Sequence, residues 1–375
     1  MISAESGSIF LAPMTAGGQK FDVVIDTGSS DTWLVLSNFT CRDESSDAIV
    51  PQQECYFGAY YSPTSTLHTI ENENFNISYQ DGEWLNGVMV REDVSLAGIT
   101  VKQQEIALVT DAAWYGDGYS SGLIGLAYPL LTNAYSGNDP SDDVAGDNMP
   151  YAPLFTSMYE KGLTASMFSL ALSRDASDQS PGAVSGGYLA IGGLPNIPHG
   201  KTFINTTINV VGVNTMTNDS IYEYYSITID GWAFSQDKYV RFNPRDTTME
   251  RPVLDSGSTV IVDSGTSLIY APEKVAQALA AQFDPPAQFD DSYGLFTVEC
   301  DAQAPLFGVD IGKKIFYVNP VDMVLQESES LCIMGVQSNG GSFSVLGDVF
   351  LRNVLVVFDV GAAEMRFSAR EFTGV

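Results

Sequence analysis

Two stretches decide the reading of this chain: Phe21-Asp-Val-Val-Ile-Asp26-Thr27-Gly28-Ser29-Ser30-Asp31-Thr32-Trp33 and Val260-Ile-Val-Asp263-Ser264-Gly265-Thr266-Ser267-Leu-Ile-Tyr270. In each, a short run of apolar, largely β-branched residues reads as a strand and feeds an acid. The acid is followed by hydroxyl, Gly, hydroxyl. Further on, Gly122-Leu-Ile-Gly125-Leu-Ala follows the first acid and Val345-Leu-Gly347-Asp follows the second. This is an internal repeat, and it places one acid in each half of the chain. With 375 residues the chain exceeds what one core usually holds. Two lobes are therefore expected, 1–190 and 191–375, with the Gly-rich 186–193 as the crossing.

A lone Asp-Thr-Gly reads as a turn between strands. Repetition with matching flanks changes that reading. One carboxylate can activate a water and one carboxylic acid can give up a proton, if the two share a site. Gly28 and Gly265 let backbone N–H groups come close to the acids. Thr27, Ser29, Ser264 and Thr266 supply short hydroxyl donors to hold them. The stretch Val253-Leu-Asp255-Ser-Gly-Ser competes with the second motif. The residues beyond Asp263 decide in its favour: Leu-Ile-Tyr270, then Pro272 opening a helix.

Most other runs read as short strands bounded by Gly, Asn, Asp or Pro, among them 21–25, 94–101, 224–229 and 354–358. Helices are expected over 153–161, stopping at Gly162, and over 272–283. The polar, Gly- and Asp-rich segment 133–148 reads as a surface loop.

Composition excludes several functions. The 46 acidic against 17 basic residues give a formal charge of −29, which repels nucleic acid and anionic membranes. Few bases also suit an acidic medium, where protonating carboxylates builds little positive charge. No apolar run approaches the roughly 20 residues of a membrane span. With two His and no C-x-x-C pair, neither a metal nor a cofactor is expected. His68 and His199 support no Ser-His-Asp set. Each half holds two cysteines, so Cys41–Cys55 and Cys300–Cys332 bridges are expected. Sequons stand at Asn38, Asn76, Asn205 and Asn218. Together these point to an oxidising, secretory route. Met1-Ile-Ser-Ala-Glu shows no signal peptide, so the sequence reads as a processed form.

The two motifs, with Ser121-Gly-Leu-Ile-Gly-Leu-Ala-Tyr-Pro129, Pro153-Leu-Phe to Gly162-Leu, Ser344-Val-Leu-Gly-Asp and Phe358-Asp-Val, resemble the pepsin-like aspartic protease family, of the fungal secreted kind. They occur in the family's order over nearly the whole chain. The resemblance implies a mainly β, bilobal fold of two similar β-barrel-like lobes with the cleft between them. It implies an endopeptidase acting at acidic pH, with Asp26 and Asp263 binding the lytic water and Thr27 and Ser264 locking the two loops. Tyr79 would be the tyrosine of a mobile flap, with Gln80 and Asp81 beside it at the substrate and Trp33 donating to the Tyr79 hydroxyl. Partners would be an extended peptide and pepstatin-type inhibitors, bound by a monomer that is extracellular or, alternatively, vacuolar. Departures are Gln80 where Gly is usual, Asp31 and Thr32 where Asn or Leu types are common, and a sequon at Asn76 just before Tyr79. Val24, Trp114, Leu123 and Ile124 read as core before subsite. A catalytically inactive pepsin-like binding protein is the rival reading; both acids and Tyr79 being present argues against it.

Overall fold

The strand Gln19–Asp26 alternates buried and half-buried residues, with Phe21, Val23 and Ile25 turned into the core. A computed structural model describes residues 1–4, 9–79, 82–174, 185–237, 257–328 and 331–370. It is mainly β and divides into two units. The first comprises 1–166, 173–193 and 210–224; the second comprises 167–172, 194–209 and 225–375.

In the first unit the strand order runs Ile2–Ala4, Ile9–Ala16, Gln19–Asp26, Gly122–Gly125, Thr32–Arg42, Ile99–Ala113, Trp84–Leu96, His68–Ser78, Ala134–Ser136. Ile9–Ala16 also pairs with Trp84–Leu96, which closes six of these strands into a ring. Closure removes the open edges a sheet would otherwise present. Inside lies a core that includes Trp33, Phe39, Phe57, Phe75, Leu85 and Met89. Cys41 and Cys55, bridged as expected, belong to the same core.

Around Asp263 the second unit carries a five-stranded sheet ordered Ser226–Thr228, Thr259–Val262, Ser344–Leu346, Ile269–Ala271, Val336–Ser338. Met167–Leu172, Val354–Asp359, Glu364–Ala369 and Ile204–Thr207 pair in that order elsewhere in the unit. Gly231–Ser235, Leu306–Ile311 and Lys314–Val318 form a meander. The Cys300–Cys332 bridge ties a further small sheet.

Both expected helices form. Leu154–Glu160 buries Leu154, Phe155 and Met158 and ends at Gly162, whose φ of 69° suits a residue without Cβ. Glu273–Ala280 buries Val275, Ala276 and Leu279. Two strand-level expectations need correction. The run 94–101 is not one strand: it folds back at Ala97 and Gly98, with φ of 50° and 79°, so that Val94 faces Val101 and Leu96 faces Ile99. The apolar positions 94 and 96 on one arm and 99 and 101 on the other shift phase by one across the two turn residues, and Gly98 marks that turn. The segment 133–148 is loop for the most part, but Ala134–Ser136 adds a strand against 73–75.

Candidate active site

The strand ending at Asp26 lies parallel to Gly122–Gly125, with Ile25 opposite Ile124 and Asp26 opposite Gly125. The chain then turns and leaves as Thr32–Arg42, antiparallel to the same short strand, with Trp33 opposite Leu123. Gly122–Gly125 is thus wedged between the strand entering the turn and the strand leaving it. Only glycine fits there. A Cβ on Gly122 would lie 2.0 Å from the Trp33 carbonyl oxygen, and one on Gly125 would lie 2.4 Å from the Ser30 carbonyl carbon. Backbone bonds pin the turn: Leu126 N–H donates to Asp26 O at 2.8 Å, Ala127 N–H to Ser29 O at 2.9 Å and Gly125 N–H to Asp31 O at 2.8 Å. The Asp26 carboxylate is held at both oxygens. Oδ1 accepts from Gly28 N–H at 2.6 Å and Oδ2 accepts from the Ser29 hydroxyl.

The second turn repeats this construction. Thr259–Val262 lies parallel to Ser344–Leu346, and Ile269–Ala271 lies antiparallel to it. Asp263 Oδ1 accepts from Gly265 N–H at 2.8 Å, and Oδ2 accepts from Thr266 Oγ1 at 2.7 Å. A Cβ on Gly347 would meet Thr266 O at 2.2 Å and Leu268 O at 2.3 Å. Thr27 and Ser264 are both buried. Among the described residues no group of three or more His, Cys, Asp or Glu could hold a metal ion.

A model of the eukaryotic aspartyl protease family matches residues 13–370. This chain belongs to the eukaryotic aspartyl proteases. It is 42% identical to a protein described as "Probable aspartic-type endopeptidase" from Aspergillus fumigatus, over 98% of this chain and 80% of that one. Rhizopuspepsin of Rhizopus chinensis is 25% identical over 94% of this chain and 75% of its own. Penicillopepsin-2 of Penicillium janthinellum is 25% identical over 96% and 77%.

The surroundings of the first aspartyl-protease turn are aromatic. Trp33 Nε1 donates to the Tyr79 hydroxyl at 3.0 Å. Trp114 packs edge-on against both rings, at 5.4 Å from Trp33 and 5.6 Å from Tyr79. Tyr79 continues the strand His68–Ser78, and its N–H donates to Glu83 O at 2.8 Å. Burial, with the Asp26 charge second, holds the Tyr79 phenol well above its usual pKa, so it stays protonated as a donor. Gln80, Asp81 and the rival acid Asp255 lie outside the described residues.

Two residues of the site carry roles that the motif alone did not disclose. Asp31 is fully buried. Its Oδ1 accepts from the Tyr151 hydroxyl at 2.7 Å and Asn133 N–H at 3.0 Å, and its Oδ2 accepts from Asn133 Nδ2 at 2.8 Å. Burial outweighs these donors and pushes the carboxyl up to about 6. The substitution of Asp for the usual Asn was the only signal in the sequence; the partners lie 102 and 120 residues away. Asn76 is the second. Its Nδ2 donates to Pro140 O at 3.1 Å and to Asp143 Oδ2 at 3.0 Å, so a glycan on that nitrogen would displace at least one of these bonds. Asn38, Asn205 and Asn218 are exposed.

Proposed function

We propose that the chain is an active acid endopeptidase in which Asp26 and Asp263 work as a pair. The carrying observation is the duplicated turn: each acid stands at the end of a largely buried strand, takes a Gly N–H on Oδ1 and a hydroxyl on Oδ2, and has a glycine (Gly125 or Gly347) packed behind the turn. Each carboxylate is thereby fixed in orientation before substrate arrives, which is what general acid–base work on a water requires. The two lobes, 1–190 and 191–375, would each bring one acid. Two carboxyls sharing a site hold one proton between them; aspartic proteases are the type case of that splitting. The carboxylate partner takes a proton from water as the water oxygen bonds to the peptide carbonyl carbon, while the protonated partner gives its proton to the carbonyl oxygen. The proton taken from water then passes to the leaving nitrogen as the C–N bond breaks, and one hydroxyl of the adduct returns its proton to the other carboxylate, so the pair again holds one proton. No covalent enzyme intermediate forms.

Tyr79, held by Trp33 and Trp114, would close over an extended peptide and exclude water, with Gln80 and Asp81 at the same edge. Requiring one protonated carboxyl places the optimum in acid. Two disulfides and exposed sequons support an exported monomer, extracellular or vacuolar. The test is cleavage of a denatured protein at pH 3–4, with and without pepstatin, beside an Asp263→Asn variant. Pepstatin-sensitive cleavage that the variant lacks is the expected result. A folded protein that cleaves nothing between pH 2 and 7 would sink the reading.

A further inference from the structure

The strand His68–Ser78 leads directly into Tyr79, and its two faces differ. Phe75 and Ile77 turn into the core, so Asn74 and Asn76 share the opposite face. That face is not left to solvent, because Asn74 is only 1% exposed. The segment 133–143 lies against it. Ala134–Ser136 pairs with the edge of the strand that Trp84–Leu96 leaves open, with Ala134 opposite Phe75 and Ser136 opposite Glu73. Asn76 N–H donates to Asn133 O at 3.3 Å and Gly137 N–H donates to Asn72 O at 2.8 Å, which fastens both ends of the added strand.

Beyond that strand the chain turns back. Asp139 Oδ1 accepts from Ser141 N–H at 3.0 Å and from the Ser141 hydroxyl at 2.7 Å, and the turn brings Asp143 onto the two asparagines. One carboxylate then holds both: Oδ1 accepts from Asn74 Nδ2 at 3.1 Å and Oδ2 from Asn76 Nδ2 at 3.0 Å. Both of its oxygens are acceptors, whereas an Asn of the same size would turn a donor toward one of the two amides. The same segment reaches the first catalytic turn. Asn133, whose carbonyl holds Asn76, gives its N–H and its side-chain amide to the Asp31 carboxylate. Asp31 stands five residues after Asp26, and Asn76 stands three residues before Tyr79. One segment thus ties the strand that carries Tyr79 to the turn that carries Asp26, at the opposite end from the bond between Trp33 and Tyr79.

We propose that Asp143 is a positioning residue for the reaction: by clipping Asn74 and Asn76 it holds the strand 68–78 against the segment 133–143 and so sets where the Tyr79 hydroxyl stands relative to Trp33 and the Asp26 turn. The proposal rests on the endopeptidase reading above. It gives the polar segment 133–143 a part in catalysis, exerted through Tyr79 and without contact to either acid. A hydroxyl placed before substrate arrives is worth more in the transition state than one that must first be ordered.

The experiment compares wild type, Asp143→Ala and Asp143→Asn, each also in a Tyr79→Phe background, with near-UV circular dichroism to check the fold. Hydrogen exchange read by mass spectrometry over 68–78 tests the clip itself, with the helix Leu154–Glu160 as reference. Peptide cleavage at pH 4 gives kcat and KM. Exchange over 68–78 should rise by about tenfold in Asp143→Ala, the worth of one or two hydrogen bonds, with the helix unchanged. In the same variant kcat/KM should fall by about fivefold, no more than Tyr79→Phe itself costs, because the clip acts through that hydroxyl. Asp143→Asn, which keeps one acceptor, should fall between. In the Tyr79→Phe background Asp143→Ala should change kcat/KM by no more than about twofold, whereas general loosening would lower both backgrounds alike. Equal losses in the two backgrounds, or exchange over 68–78 unchanged in Asp143→Ala, overturn this proposal alone. Wild type without pepstatin-sensitive cleavage removes the endopeptidase reading and the positioning role with it.

Discussion

The turn at Asp26 and the turn at Asp263 have the same skeleton and different surroundings. Asp26 ends, and Asp263 directly follows, a strand paired in parallel with a short strand that closes on a glycine, Gly125 within the first and Gly347 just beyond the second, and both carboxylates take one backbone and one hydroxyl donor. Five residues on, the turns diverge. The first has Asp31, fully buried with Tyr151 and Asn133 as partners; the second has Leu268, also buried. Seven residues on, Trp33 is buried and bonded to Tyr79, whereas Tyr270 is half-buried. The skeleton is fixed by what an oriented carboxylate needs. The position behind it must only be filled, by an apolar side chain or by a polar one whose donors are supplied.

The shared part gives the largest expected effects. Asp26→Asn and Asp263→Asn should each lower kcat by about 10³-fold or more at pH 4, because in the proposed mechanism each removes a proton-transfer group. The near-UV spectrum should stay as in wild type. Unequal losses, one variant retaining a tenth of the activity, would break the equivalence of the two turns. Gly125→Ala and Gly347→Ala come next. Each new Cβ meets backbone, at 2.4 Å and 2.2 Å, so each should cost about 3 kcal/mol or more in denaturant unfolding. A near-neutral Gly347→Ala would show that the second turn is held less tightly than the first.

Asp31 tests the part that differs. Its carboxyl sits near 6 in the folded protein against 3.8 as a free group. The folded state therefore holds this proton more tightly than the unfolded one. The associated stability is present below about pH 4 and is lost as pH rises to about 6, amounting to about 3 kcal/mol. Asp31→Asn should flatten the stability profile between pH 4 and pH 7 by about that amount. An unchanged slope would mean that other carboxyls carry it. Glu73 is the nearest competitor, pushed up to about 7 by burial and then by Glu105. The smallest effect is expected at the aromatic edge. Tyr79→Phe leaves the Trp33 N–H without its acceptor, which should cost about 1 kcal/mol of stability. If Tyr79 closes over substrate, kcat/KM should fall by about tenfold while pepstatin-free stability at pH 4 falls only by that small amount.

The sequence by itself determined the duplicated acid turns, the family, the two helices near their observed bounds and the cysteine pairing. These depend on properties written locally: β-branched runs, glycines where no Cβ fits, a proline that opens a helix and a glycine that ends one. Tertiary structure alone decided what the remaining residues do. Asp31 became a buried, proton-holding group because Asn133 and Tyr151 arrive from 102 and 120 residues away. The Asn76 side chain became a tether to Asp143 instead of a free acceptor for a glycan. The run 94–101, read as one strand, became a hairpin at Ala97-Gly98. Burial and partnership are properties of chain segments brought together, and no local pattern records which segments will meet.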